Sequence, residues 1–201
     1  LGDPIRVDVL REALYRGADA VVRLRVDGEL DALARARLLT AAARQRGTFD
    51  LILTGLSVPE GENSQVGSHC ASLLGMPQVT YVEEIEALEE ASLVVRRAIE
   101  GGTESVRVKL PCLLTVGVAL LKDDPRTPRP ARARLKLQHA KSSIPAIGAP
   151  ELGVSPEELR PVVEKRGLEP LPSRQIQTVR LDGEDEAALK EMMEQLKRDR
   201  V

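Results

Sequence analysis

Aromatic side chains are almost missing from this chain of 201 residues, which has two Tyr, one Phe and no Trp. That weakens any reading as a platform for stacking single-stranded nucleic acid. An excess of one charge is lacking too. Lys and Arg number 29 against 31 Asp and Glu, a formal net charge of -2, so the generally basic surface of a nucleic-acid-binding protein is not there. Cysteine is scarce: Cys70 and Cys112 make neither a metal set nor a disulfide framework, and a reducing compartment is the default expectation. No apolar run approaches the roughly 20 residues of a membrane-spanning helix. The sequence opens at Leu1 with no signal-peptide pattern and runs directly into a helical one, so it reads as beginning inside a fold. His69 and His139 lie far apart without a ligand-like partner set. No triad, paired carboxylates or metal set stands out, and the residues suggest no covalent or acid–base chemistry.

What is present is globular. A chain 42% hydrophobic and 30% charged is not disordered in composition. Its length suits one domain with an appendage, or two small ones. Residues 4–16 place Ile5, Val9, Leu10 and Leu14 at helical spacing, with Asp3 as N-cap, Pro4 in the first turn and Gly17 at the stop. Residues 19–24 read as a short strand and 29–46 as a second helix. Residues 50–55 are a continuous apolar run, expected of a strand buried on both faces. A third helix spans 64–74, stopped by Gly75 and Pro77, and 79–82 form the next strand. This alternation predicts βαβ units and a parallel sheet. In such sheets ligands bind beyond the carboxyl ends of the strands, which directs attention to the loop after Gly55.

The pattern then changes. Residues 91–99 and 103–110 flank Glu100, Gly101 and Gly102 and predict a hairpin, with Val106, Val108 and Leu110 on one face and Arg107 and Lys109 on the other. An apolar strand over 112–121 follows Pro111, so the sheet is expected to be mixed. Glu83, Glu84, Glu86, Glu89 and Glu90 read as a solvated acidic face, Cys70 and Cys112 as core. Residues 122–150 hold Pro125, Pro128, Pro130, Pro145 and Pro150 amid a basic excess, a long loop without secondary structure of its own and therefore functional or mobile. An extended arm with one helical turn at 155–159 leads to a last helix over 185–200, with Leu189, Met192, Met193 and Leu196 in one stripe. The organisation so read is an α/β nucleotide-binding domain over 1–121, a basic Pro-rich loop and linker over 122–150, and a C-terminal arm and helix over 151–201.

The loop Gly55, Leu56, Ser57, Val58, Pro59, Glu60, Gly61, Glu62, Asn63, Ser64, Gln65, Val66, Gly67 joins a strand to a helix. Backbone N–H groups at a helix start lack internal partners and the helix dipole is positive there, which suits a phosphate. Asn63 and Ser64 can cap the helix, and Gly61 and Gly67 let backbone approach a ligand without a Cβ in the way. Glu60 or Glu62 can accept hydrogen bonds from ribose hydroxyls. Any strand-to-helix turn also needs a cap and often a Gly, and the loop is neither a Walker loop nor GxGxxG.

Three stretches together resemble the beta subunit of electron transfer flavoproteins: DLILTGLSVPEGENSQVGSHCASLLGMPQ at 50–78, VRRAIEGGTESVRVKLPCLLT at 95–115 and GAPELGV at 148–154. The resemblance implies an α/β fold of the adenine-nucleotide-hydrolase type, a mostly parallel sheet with helices on both faces, plus an antiparallel hairpin and an extended arm ending in a helix. It implies an electron carrier, not an enzyme. An alpha-subunit partner holds most of one FAD, donors are dehydrogenases such as acyl-CoA dehydrogenases, and the acceptor is a membrane quinone oxidoreductase. The expected protein is neither a membrane protein nor a nucleic-acid binder, and the resemblance implies the bacterial cytoplasm or, in a eukaryote, the mitochondrial matrix. The family's structural AMP falls on the 55–66 loop, with Ser64, Gln65 and Val66 at the phosphate end and Leu1 at the adenosine end.

Three departures qualify the match. About one βα region that family members carry ahead of this start is absent. Residues 60–67, EGENSQVG, are closer to the Asp-Gly-Asp-Thr-Ala-Gln-Val-Gly pattern of members that bind a second FAD and bifurcate electrons; AMP is expected because Ser68 replaces the Pro that usually follows. The family's partner-docking loop, usually Leu-Pro, here has Arg126, Arg129, Arg132 and Arg134 with Leu135 or Leu137 as substitute anchor. A nucleotide-binding module of the universal-stress type, with no redox role, is the reading from another class.

Overall fold

The computed structural model describes residues 7–26, 28–57, 64–117, 130–163, 167 and 186–198. The elements, in chain order, are α1 (Val7–Arg16), β1 (Arg23–Leu24), α2 (Ala32–Arg46), β2 (Leu51–Gly55), α3 (Val66–Leu74), β3 (Gln78–Leu88), β4 (Ser92–Ile99), β5 (Gly102–Lys109), β6 (Cys112–Val116), α4 (Ala133–His139), β7 (Ala146–Ile147), a 3₁₀ turn (Pro150–Leu152) and α5 (Glu186–Arg198). Two compact units divide the chain, Leu1–Glu164 and Lys165–Val201; α5 belongs to the second.

Helix ends follow local chemistry. Gly17 stops α1 at φ +107°, its amide donating to the Leu14 carbonyl at 3.1 Å. Asp31 caps α2, accepting from the Ala34 amide at 2.8 Å. Gly75 closes α3 in the left-handed conformation. Asp3 and Pro4 lie outside the described residues.

The main sheet has the order β2-β6-β3-β4-β5. Strands β2, β6 and β3 run parallel, while β4 and β5 join antiparallel. The fold is therefore α/β with a mixed five-stranded sheet, and the predicted hairpin is present. Side chains alternate across the sheet with the strand period of two. Leu113 packs with Ala36, Cys70, Ala71 and Ile52 beside α2 and α3. Its neighbours Cys112 and Leu114 join Val79, Val82, Leu93, Val95 and Val108 in a second cluster. Val106 and Leu110 pack against that second cluster, while Arg107 and Lys109 are exposed. Cys70 and Cys112 are both buried.

Several expectations need correction. The strand read over 19–24 shrinks to Arg23–Leu24, and it pairs in parallel with β7 in a separate two-stranded sheet; β1, α2 and β2 do not form a βαβ unit of the main sheet. Strand β2 is not buried on both faces, since Leu53 is 56% exposed. Strand β3 runs eleven residues and takes in much of the supposed acidic run. Glu84 stands opposite Arg96 in the β3–β4 register, and Arg96 pairs with Glu84 at 2.8 Å and Glu83 at 4.0 Å. Alternating Glu and apolar residues are compatible with a strand when cross-strand cations neutralise them. Residues 122–150 are not without secondary structure, because α4 and β7 lie there. The apolar strand that follows Pro111 is described as Cys112–Val116, and residues 118–121 lie outside the described residues.

Candidate functional site

The parallel strands β2 and β6 end side by side, with Thr54 opposite Thr115 and Gly55 opposite Val116. Beyond them the chain stays paired briefly: the Leu56 amide donates to the Val116 carbonyl at 3.1 Å, and the Gly117 amide to the Val82 carbonyl at 3.2 Å. Gly55 and Ser57 are exposed and Leu56 is half-buried. The amino end of α3 rests directly on the two threonines. A Cβ added at Gly67 would lie 2.5 Å from Thr54 Oγ1 and 2.6 Å from Thr115 Cγ2. The missing side chain of Gly67 lets the helix close onto the sheet, as glycine does in close helix–strand packing, a packing role the sequence reading did not include.

Thr115 cannot swing aside cheaply. It is 1% exposed, and its Oγ1 accepts the Tyr81 amide at 3.2 Å. That bond accompanies an irregularity in β3, where Tyr81 takes φ +59° within the register shift between Val79 and Val82. The Thr54 hydroxyl is buried with no hydrogen-bond partner among the described residues. Thr54, Thr115 and Tyr81 were not picked out from the sequence. Thr at a strand end carries no distinctive signal, and only the neighbouring Gly67 hints at close packing.

The helix start also differs from expectation. Gln65 occupies the cap position in helical conformation without a side-chain cap hydrogen bond, and Ser64 lies one residue earlier in a turn. The first bond inside the helix runs from the His69 amide to the Gln65 carbonyl at 2.9 Å. The amides of Val66, Gly67 and Ser68 have no acceptor within the helix and sit where an anion is favoured. Leu1, Val58, Pro59, Glu60, Gly61, Glu62 and Asn63 lie outside the described residues.

The docking candidates fall on α4. Its chain is fixed to α1: the Arg132 amide donates to the Tyr15 carbonyl at 2.9 Å, and the Arg11 guanidinium donates twice to the Ser142 carbonyl at 3.3 Å. Leu135 and Leu137, two positions apart, project from different sides of a helix. Leu135 is half-buried, whereas Leu137 is 84% exposed, with Arg132, Arg134 and Lys136 exposed around it. Arg126 and Arg129 lie outside the described residues. On α5, within the second unit, Leu189, Met192, Met193 and Leu196 are all exposed. No helix among the described residues is long and apolar enough to cross a membrane.

Residues 1–138 match the family model of the electron transfer flavoprotein domain. The caffeyl-CoA reductase-Etf complex subunit CarD of Acetobacterium woodii is 41% identical over 128 residues, 63% of this chain and 48% of that protein. The electron transfer flavoprotein subunit beta of Clostridium acetobutylicum is 40% identical over 117 residues, 57% of this chain and 44% of that protein. Protein FixA of Sinorhizobium fredii is 30% identical over 202 residues, covering 93% of this chain and 68% of that protein. The chain spans about half the length of the first two of these curated relatives. With a family match covering more than half the chain and these relatives, this chain belongs to the electron transfer flavoprotein family, with the beta subunits.

Proposed function

We propose that this chain works as the beta subunit of a two-subunit electron carrier and holds an adenine nucleotide over the amino end of α3. The observation that carries the reading is the packing at Gly67, which seats a helix start on the carboxyl ends of two parallel strands. The residues fit a phosphate there. The amides of Val66, Gly67 and Ser68 face it as donors, and the Thr54 hydroxyl, without a partner among the described residues, lies just beneath. The 55–67 loop, with Leu1 at the far end, completes the contacts in this reading. The nucleotide is AMP and its role is structural. The fold is of the adenine-nucleotide-hydrolase type, with residues 1–121 as its nucleotide-binding domain.

FAD, held mainly by the alpha subunit, supplies the redox chemistry when bound, and the protein supplies position and electrostatics. The complex carries electrons from flavin dehydrogenases, such as acyl-CoA dehydrogenases, toward a membrane quinone oxidoreductase. Residues 122–150 dock the donor, with Leu137 as the anchor and Arg132 and Arg134 as the basic rim, joined by Arg126 and Arg129. A small exposed apolar anchor in a basic rim permits fast encounter and fast release. The exposed stripe of α5 packs on the alpha subunit. A second reading, FAD in place of AMP, is supported by the residues EGENSQVG at 60–67.

Denaturing release of small molecules from the native complex, identified by mass, tests this. One FAD and one AMP per heterodimer is the expected result. Two FAD supports the second reading. Purification of the native chain without any flavin-bearing partner overturns the electron-carrier role and favours a non-redox nucleotide module.

A further inference from the structure

Residues 149–163 run along α2 in the opposite direction to the helix and touch it at three heights. Gln45 Nε2 donates to the Glu151 carbonyl at 3.2 Å near the carboxyl end of α2. The Arg37 guanidinium donates to the Glu158 carbonyl in the middle. At the amino end, Asp31 Oδ2 accepts the Val162 amide at 2.7 Å while Oδ1 caps α2 through Ala34. The first part of this segment is also held by burial, since Val154 is buried with Leu24, Val26 and Leu38, and Leu152 and Leu159 pack against them. A local box stiffens the middle: Glu158 Oε2 accepts from the Ser155 amide and hydroxyl, both at 2.9 Å.

The end of the segment is different. Val162 and Val163 are each 69% exposed, so burial does little to retain them. Their fixed point is the Asp31 carboxylate, whose acidity is consistent with this. Burial would raise its pKa, but amide hydrogen bonds from Ala34, Val162 and Val163 and the Arg37 charge together lower it. One residue later the first compact unit ends at Glu164.

We propose that residues 149–163 form a strap across α2 whose final stretch, 161–163, is latched by the carboxylate of Asp31. The inference does not depend on the nucleotide reading.

Asp31→Asn separates the two jobs of the carboxylate. The amide oxygen of Asn still caps α2, whereas its NH₂ group cannot accept the Val162 amide. Native-state hydrogen exchange read at single amides is the measurement. In Asp31→Asn the Val162 and Val163 amides should exchange at least about tenfold faster, with α2 amides unchanged. Val162→Pro, which removes the donor and leaves Asp31 intact, should accelerate Val163 to a similar extent. Equal exchange at Val162 and Val163 in the native chain and Asp31→Asn overturns the latch. Loss of protection along α2 as well in Asp31→Asn, with Val163 unchanged in Val162→Pro, overturns it too, because the carboxylate would then serve only as a cap.

Discussion

Replacing Gly67 by Ala adds one methyl group at the tightest point between α3 and the sheet. Its Cβ would sit 2.5 Å from Thr54 Oγ1 and 2.6 Å from Thr115 Cγ2, inside the usual non-bonded separation by roughly 1 Å. Neither threonine yields easily. Thr115 is held by the Tyr81 amide, and both are β-branched side chains on paired strands, with few rotamers. The helix must therefore lift. Overpacking of this kind destabilises by about 1–3 kcal/mol, and two simultaneous contacts place it at the upper end. Ala is favoured over Gly inside a helix by about 1 kcal/mol, leaving a net loss of about 2 kcal/mol. For a chain of this size that lowers the melting temperature by about 4–8 °C. Differential scanning calorimetry measures the loss, and mass analysis of released small molecules should show nucleotide content falling with it. Removing the obstructing atoms supplies the internal control. Thr54→Ala deletes the hydroxyl, and Thr115→Ser deletes Cγ2 while keeping the Oγ1 that accepts from Tyr81. In a mutant cycle, these changes should recover at least half of the Gly67→Ala loss. A Gly67→Ala protein with unchanged melting temperature and nucleotide content refutes the packing argument, as does a loss that the two threonine changes fail to relieve.

Three further outcomes are expected. Leu137→Glu should leave stability within about 0.5 kcal/mol, since the side chain is 84% exposed, yet slow electron transfer from the dehydrogenase; unaltered transfer kinetics would remove Leu137 as the anchor. Burial pushes the Cys70 thiol up to about 11, so about one thiol in a thousand is ionised at pH 8. A disulfide reagent should titrate Cys70 only after denaturant is added, and immediate reaction of the native chain would contradict that. The Asp31 and Glu158 carboxylates are both held below their ordinary values. Hydrogen bonds from Ala34, Val162 and Val163 outweigh desolvation at Asp31, and those from the Ser155 amide and hydroxyl lower Glu158. Their stabilisation is present above the unfolded carboxylate pKa and lost as pH falls through the folded one. Asp31→Asn should therefore flatten the acid limb of the stability curve, read by circular dichroism; an unchanged limb would contradict the assignment.

Local chemistry wrote much of the fold into the chain. Helix stops at Gly17 and Gly75, the hairpin around Glu100 and Gly101, and the alternation of Val106, Val108 and Leu110 are set by neighbouring residues and by the period of each element. The strand-loop-helix order around Gly55 and Gly67 was legible as well, because helix ends expose unpaired amides wherever they occur. Pairing partners were another matter. Arg23 and Leu24 found Ala146 and Ile147 more than a hundred residues away, and the Glu83–Glu84 stretch lies in a strand with Arg96 standing opposite. The packing of Gly67 was hidden for the same reason. Its sequence context suggested a backbone open to a ligand, and only the fold shows Thr54 and Thr115, brought together by two parallel strands, filling the space where its side chain would be. Sequence by itself determined which residues could end, turn or alternate, since those choices depend on a few bonds either side. Only the tertiary structure decided what each exposed or buried face meets, because that depends on atoms distant along the chain and adjacent in space.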